Sequence, residues 1–189
     1  MDASPGTLPF VEPFVARLLA RFVDAGSVML DVGCGPAGYR AAVKGRYVGV
    51  DITDVPYTPT AGRRLDAAAA SDRLPFRAQS FDLVMCKSAF FLMPDHRATL
   101  AEFHRVLKQG GRLLLLDYNR RTQRRLSARE GVPYPCWTQW QLRRLAQECG
   151  FRQCGLLPTS ERHEGAMWRL LTPVLQEVFG TWAIVTGVK

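Results

Sequence analysis

A chain of 189 residues can bury one sizeable core and is short for two, so a single domain spanning 1–189 is expected. Its composition, 47% apolar and 22% charged with ten Phe and four Trp, is that of a globular rather than a disordered or membrane protein. The net charge of +8, carried by 21 arginines against four lysines, bears on solubility and on encounters with anions and leaves the fold open. No apolar run approaches the roughly twenty residues of a membrane-spanning helix. The N-terminal MDASPGTLPF lacks the basic start and long apolar stretch of a secretory signal, so a cytoplasmic protein with no membrane partner is expected. Five cysteines, with no C-x-x-C pair among them, suggest neither a disulfide framework nor a metal site.

In chain order, Phe10, Phe14, Leu18, Leu19 and Phe22 fall at helical spacing, which predicts an amphipathic helix ending near Gly26. Val28 to Val32 and Arg46 to Val50 are short apolar runs, read as strands joined by one short helix. Phe81 to Cys86 and Arg112 to Asp117 are continuous apolar strands of the kind buried on both faces of a parallel sheet. The helix between them begins on Asp95 as a cap and stops at Gly110 and Gly111. Thr138 with Gln141 reads as a capping box for a helix that runs to Gly150. Strands are expected near Cys154 to Leu157 and over Trp182 to Val188. Before the last of these, Met167, Trp168, Leu171, Val174, Leu175 and Val178 form one helical face interrupted at Pro173. Strand and helix alternate throughout, which predicts an α/β fold with a parallel sheet and helices on both faces.

The segment VMLDVGCGPAGY places Asp31 at the end of a buried strand, then Gly33 and Gly35, then a helix start. Glycines let a backbone approach a ligand closely, and in open parallel sheets ligands bind beyond the carboxyl ends of the strands. Asp51 stands twenty residues after Asp31 at the end of the next strand, where a carboxylate can accept bonds from both hydroxyls of a ribose. This is a nucleoside-binding arrangement.

LDVGCGPAGY at 30–39, VGVDIT at 48–53, LDAAA at 65–69, LPF at 74–76, SFDLVMC at 80–86, EFHRVLKQGGRLLLLD at 102–117 and the closing WAIVTGVK follow one another in a familiar order and spacing. On these pieces the chain resembles the class I S-adenosylmethionine-dependent methyltransferase superfamily, within it the small-molecule group called type 11, over nearly its whole length. The resemblance implies a Rossmann-like, doubly wound, mostly parallel seven-stranded sheet with an antiparallel final strand. It also implies S-adenosylmethionine as cofactor and S-adenosylhomocysteine as product. Gly33, Cys34 and Gly35 would wrap the methionine moiety with Asp31 near its amino group. Asp51 would hold the ribose, Ile52 would pack on the adenine, and Asp66 with the Ala67 backbone would bond the adenine amino edge. Cys86 would lend its backbone beside the methionine end.

Competing readings stand beside these. Asp31 as a helix cap and Asp66 as a turn residue are the plainer ones. Gly33-x-Gly35-x-x-Gly38 also matches the dinucleotide fingerprint of NAD-dependent oxidoreductases, with Ala37 where many relatives place a third glycine. On the acceptor side, His96 and His163 are the candidate bases, while His104 reads as structural. Tyr39, Tyr57, Lys87 and Tyr134 are further polar candidates that no spacing singles out. Phe90, Phe91, Leu92 and Met93 would line an apolar acceptor pocket or pack a strand-to-helix junction. The helix containing Met167, Trp168 and Leu171 is a candidate lid. The expected acceptor is a small, partly apolar metabolite. An RNA or protein acceptor held by Arg120, Arg121, Arg124, Arg125 and Arg129, and a catalytically silent cofactor-binding protein, are the alternatives. The absence of an N/D-P-P-Y/F string and of an appended RNA-binding module points away from nucleic acid. The oligomeric state is open.

Overall fold

The computed structural model is described here for residues 13–52, 65–157, 174–175 and 181–189. The elements in chain order are α1 (Pro13–Phe22), β1 (Val28–Val32), β2 (Arg46–Asp51), β3 (Ala67–Ala68), β4 (Phe81–Lys87), α2 (His96–Val106), β5 (Leu107–Tyr118), α3 (Arg120–Glu130), α4 (Gln139–Glu148), β6 (Arg152–Leu156) and β7 (Trp182–Val188), with single 3₁₀ turns at Gly38–Ala42 and Phe90–Leu92. They form one seven-stranded sheet in the order β3-β2-β1-β4-β5-β7-β6. The first five strands in that order run parallel, and β7 lies antiparallel between β5 and β6. The chain order reverses direction across the sheet at β1 and β4, the switch point of a doubly wound sheet.

Alternation along the strands splits the core in two. Leu30, Val32, Val84, Cys86, Leu113 and Leu115 face Leu100 and Phe103 of α2 and Leu142 and Leu145 of α4. Met29, Leu83, Met85, Leu114 and Leu116 face Val15, Leu18 and Leu19 of α1. Each buried leucine of this kind stabilises the fold by about 1.5–3 kcal/mol. Both faces are therefore covered, as continuous apolar strands require.

The predicted caps are present. Asp95 accepts from the amides of Arg97 (3.0 Å) and Ala98 (2.9 Å), and Thr138 with Gln141 forms the reciprocal capping box. The double glycine departs from expectation. Helix α2 ends at Val106 and Leu107 is already extended, so Gly110 and Gly111 do not cap it. They lie in a bulge of β5, where Phe81 pairs with Leu107 but Leu83 pairs with Arg112. Gly110 takes φ +74°, and a Cβ on Gly111 would stand 2.8 Å from the Lys108 carbonyl oxygen. The Lys189 ammonium donates to the Leu107 carbonyl at 2.8 Å and fixes the bulge. The predicted helical face at 167–178 falls outside the described residues except at Val174 and Leu175, which are helical.

Candidate cofactor site

At the switch point, β1 ends on Asp31 and Val32, and the chain turns through Gly33 (φ +74°), Gly35 (φ +52°) and Ala37 (φ +55°). The Gly33 and Cys34 amides donate to the Val50 carbonyl (2.8 and 3.1 Å), and the Gly35 amide donates to Asp51 Oδ2 (2.8 Å). The loop is thus bound to the end of β2 by three hydrogen bonds. Asp51 is oriented from both sides, since its Oδ1 accepts from the Ile52 amide at 2.8 Å. The two glycines serve different ends. A Cβ on Gly33 would stand 2.4 Å from the Ala89 side chain, so that position is closed by the chain itself. A Cβ on Gly35 would meet nothing within 4 Å, because that position faces open space.

That space is a cleft of about 400 Å³. Gly33, Gly35, Asp51 and half-exposed Ile52 form one wall, Ala69, Ala70 and Ser71 a second, and Ser88, Ala89, Leu92, Met93 and Pro94 a third. Ser71 bonds Thr99 of α2 across 2.9 Å, which fixes the second wall to the helix layer. Ser88 adopts φ +55°, a left-handed conformation uncommon for a residue with a Cβ, and so turns the chain sharply out of β4. A second hollow of about 200 Å³ lies on the other side of the glycine loop, between Asp31, Cys34, Tyr39 and Lys87. Gly33 and Gly35 wall both spaces.

Of the residues anticipated from sequence, Asp31, Gly33, Cys34, Gly35, Asp51 and Ile52 lie on these two hollows. Asp31 is almost fully buried, and burial raises its pKa to about 7 against the pull of the Tyr47 hydroxyl, which donates to Oδ2 at 2.6 Å, and of Lys87. Asp66 and Ala67 line neither. The Asp66 carboxylate is engaged by the Gly49 amide (2.7 Å) and the Arg40 guanidinium (2.5 Å). Burial pushes its pKa up, yet those two donors hold it below the usual value. Ala67 is paired to Val50 in the sheet. The wall expected from these two is formed instead three to four residues later, by Ala70 and Ser71. Cys86 is wholly buried in the α2/α4 face, its thiol pKa pushed far up by burial, and the cleft is walled by the two residues after Lys87 instead.

His96 is not in the cleft. Its ring packs edge-on against Phe90 (4.8 Å) and Trp137 (5.3 Å), and burial lowers its pKa. His163 and Tyr57 lie outside the described residues, as do Met167, Trp168 and Leu171. The Phe90–Met93 stretch divides. Phe90 and Phe91 are core, the latter edge-on to Tyr118 and Tyr134, while Leu92 and Met93 face the cleft. Ala70, Ser71, Ser88 and Ala89 carried no signal in the sequence, because small residues announce neither chemistry nor periodicity. All five arginines of α3 are exposed. Among the described residues, no helix is long and apolar enough to cross a membrane.

A family model described as a methyltransferase domain matches residues 30–115. Nocamycin O-methyltransferase of Saccharothrix syringae is 36% identical over 68% of this chain and 47% of its own length. The 2-methyl-6-phytyl-1,4-hydroquinone methyltransferase of Synechocystis is 30% identical over 65% of this chain and 40% of its own length. The chain spans about half the length, or less, of such curated relatives. Among solved structures, phosphoethanolamine N-methyltransferase 2 of Haemonchus contortus, in complex with S-adenosyl-L-methionine, aligns with a TM-score of 0.65 at 19% identity, covering 92% of this chain and 51% of that one. In its glycine loop, its sheet order and these matches, the chain is similar to class I S-adenosylmethionine-dependent methyltransferases.

Proposed function

We propose that this protein, as a single domain, transfers a methyl group from S-adenosylmethionine to a small, partly apolar acceptor. The observation that carries the reading is the placement of Asp51. Its carboxylate is oriented by the Gly35 and Ile52 amides at the mouth of a cleft whose nearest wall, Gly35, is open. A nucleoside fits there, with the ribose hydroxyls on Asp51, the base between Ile52 and the Ala70–Ser71 wall, and the methionine end over the loop toward Asp31. Bound, the cofactor supplies an electrophilic methyl group on a sulfonium that is already a good leaving group. The chain's own work is positioning and exclusion of water. The rigid loop fixes the donor end, and Leu92, Met93 and Pro94 close one wall with apolar surface.

With the cofactor bound, the acceptor's lone pair would form the new bond to the methyl carbon as the carbon–sulfur pair returns to sulfur, releasing S-adenosylhomocysteine and, from a hydroxyl or amine acceptor, a proton to solvent. A small-molecule acceptor is supported by the names of the relatives, which act on nocamycin and on a hydroquinone. The packing of His96 between Phe90 and Trp137, away from the cleft, speaks against it as the base. A cytoplasmic location belongs to the same reading, five free cysteines fitting a reducing compartment. Isothermal titration with S-adenosylmethionine and with NAD tests the reading. It expects the first to bind at sub-millimolar concentration and the second not to, and binding of NAD alone overturns it. A second reading, an RNA or protein acceptor held by Arg120, Arg121, Arg124, Arg125 and Arg129, rests on the exposure of all five on α3. Methylation of RNA or protein that falls steeply with added salt would favour it.

A further inference from the structure

Helix α3 carries Arg120, Arg121, Arg124, Arg125 and Arg129, all exposed, and a single acid, Glu130, at its last position. At about 3.6 residues per turn the five arginines fall on one half of its circumference, while buried Gln123 and half-buried Leu126 fall on the other. The helix itself is not stabilised by this arrangement. Arg120 and Arg124, Arg121 and Arg125, and Arg125 and Arg129 are like charges one turn apart, and the first two arginines meet the positive end of the helix dipole. A charge pattern that opposes its own element points to a use outside it. The helix lies on the cleft side of the sheet, directly after β5. The amides of Tyr134 and Trp137 donate to Ser127 Oγ (3.1 Å) and Gln123 Oε1 (2.7 Å), which folds the next segment back along α3. The Tyr134 ring in turn stands edge-on to Phe91 at 5.0 Å, beside Leu92 of the cleft wall.

The exposed apolar residues share that side. Ile52, Leu92, Val132, Trp140, Val174 and Leu175, from 37% to 50% exposed, are the large hydrophobic side chains that the described residues leave in solvent. Ile52 follows β2 and Leu92 follows β4, while Val132 and Trp140 stand on the link from α3 into the first turn of α4. Val174 and Leu175 belong to the connection from β6 to β7, and since β6 runs with β5 and β7 against it, that connection too crosses the carboxyl ends of the parallel strands. Among the described residues, none of these side chains stands on the opposite rim. Exposed apolar residues scattered singly are ordinary, whereas their confinement to one end of the molecule, together with a basic helix, is not.

We propose that this rim is a docking surface for an anionic lipid bilayer, with the α3 arginines on the headgroups and Val132 and Trp140 in the interfacial layer. A bilayer surface offers a plane of negative charge over an apolar layer and so matches both halves of the rim, whereas a nucleic acid or an acidic protein matches the arginines alone. Surface contact needs no spanning helix, so the expectation of no membrane partner, which rests on the lack of spanning and signal segments, does not bear on it. The docking stands apart from the methyl-transfer reading, and only the delivery of the acceptor rests on that reading. A partly apolar acceptor dissolved in the bilayer would reach the cleft, which Ile52 and Leu92 line, without crossing water.

The test is flotation of the full chain, without cofactor, on vesicles of phosphatidylcholine alone and of phosphatidylcholine with roughly 30% phosphatidylglycerol. The wild type binds the anionic vesicles at least about tenfold more tightly than the neutral ones, and added salt weakens the binding. The combined substitutions Arg120→Gln, Arg124→Gln and Arg125→Gln weaken it by roughly 100-fold. Relief of the like-charge pairs keeps the melting temperature of that variant at or above the wild-type value, so the loss is not one of folding. Val132→Ser with Trp140→Gln weakens vesicle binding by roughly tenfold and leaves binding to polyuridylate unchanged. Equal binding of the wild type to both kinds of vesicle overturns the proposal, as does wild-type binding by the triple arginine variant. Undiminished vesicle binding by Val132→Ser with Trp140→Gln also overturns it, because charge alone then explains the contact. Polyuridylate bound more tightly than the anionic vesicles assigns the arginines to nucleic acid and overturns it as well. Failure here leaves the S-adenosylmethionine titration as it was, and failure of that titration leaves vesicle binding as it was.

Discussion

The Tyr47 hydroxyl donates a 2.6 Å hydrogen bond to Asp31 Oδ2, joining neighbouring strands β2 and β1 directly beneath the glycine loop. Burial raises the Asp31 pKa to about 7 despite this bond, whereas the unfolded chain titrates near the ordinary 3.8. The folded state therefore holds a proton that the unfolded state has released. The stability contributed by Asp31 is complete below about pH 4, declines as pH rises and is lost above about 7. Asp31→Asn flattens the fall in melting temperature of the ligand-free protein between pH 5 and 8. Asp117, whose pKa burial likewise raises to about 7, keeps part of the slope in that variant. A slope identical to that of the wild type would show that Asp31 is not the titrating group.

Under the proposed function, the same residue links pH to cofactor binding. An ammonium placed beside Asp31 favours its ionised form, so binding near pH 6.5 expels part of a proton. Titration of S-adenosylmethionine in two buffers of different ionisation enthalpy measures this directly. The wild type gives a buffer-dependent enthalpy corresponding to proton release, and Asp31→Asn gives little or none. Proton uptake would contradict the placement of the methionine end.

Gly33 and Gly35 share a left-handed backbone but face different neighbours, and their alanine variants separate accordingly. Gly33→Ala drives a Cβ to within 2.4 Å of Ala89, so the loop or the turn after β4 must shift and the protein loses several kcal/mol of stability. Gly35→Ala meets no protein atom within 4 Å and bears only the left-handed penalty of about 1–2 kcal/mol. Its methyl group enters the cleft instead, so cofactor affinity falls more than tenfold while the fold survives. Chemical denaturation together with calorimetry distinguishes the two, and equal stability losses would refute the assignment of Gly35 to the ligand-facing wall.

Much of this fold is written in residue pattern. The unbroken apolar runs of β1, β2, β4 and β7 have no solvent face to encode, and their ends match the predicted ranges to within a residue. Asp95 and Thr138 advertise their helices through backbone amides that a side-chain oxygen must satisfy. The Gly110–Gly111 pair misleads because a helix cap and a strand bulge both demand the same left-handed backbone, and only the partner strand decides between them. In the site, Asp31, Gly33, Gly35 and Asp51 are legible since their chemistry is local. Ala70 and Ser71 are not, because what brings them to the cleft is the pairing of β3 with β2 and the bond from Ser71 to Thr99.

Asp51→Ala removes the carboxylate that the Gly35 and Ile52 amides orient, and with it the acceptor proposed for the ribose. Hydrogen bonds to charged groups contribute about 1.5–3 kcal/mol, so affinity for S-adenosylhomocysteine falls by roughly ten- to a hundredfold. A 2′,3′-dideoxy analogue of the ligand, lacking both hydroxyls, binds the wild type and Asp51→Ala with similar affinity. A large difference between the two proteins toward that analogue would move the ribose contact elsewhere.

Asp66 provides the opposite case. Its Oδ2 accepts from the Gly49 amide in β2 and from Arg40, whose guanidinium also lies 4.6 Å over the Tyr47 ring. Through Oδ2 the carboxylate thus ties the 3₁₀ turn after the glycine loop to the outer strands of the sheet. Asp66→Ala leaves the Gly49 amide without that partner, which costs about 1–3 kcal/mol, and removes one of the partners of Arg40. The melting temperature drops by several degrees. At a temperature where the variant is fully folded, its affinity for S-adenosylhomocysteine stays within about threefold of the wild type. A loss of tenfold or more without any loss of stability would return Asp66 to the adenine edge, and would mean that its bond to Gly49 opens when the cleft is filled.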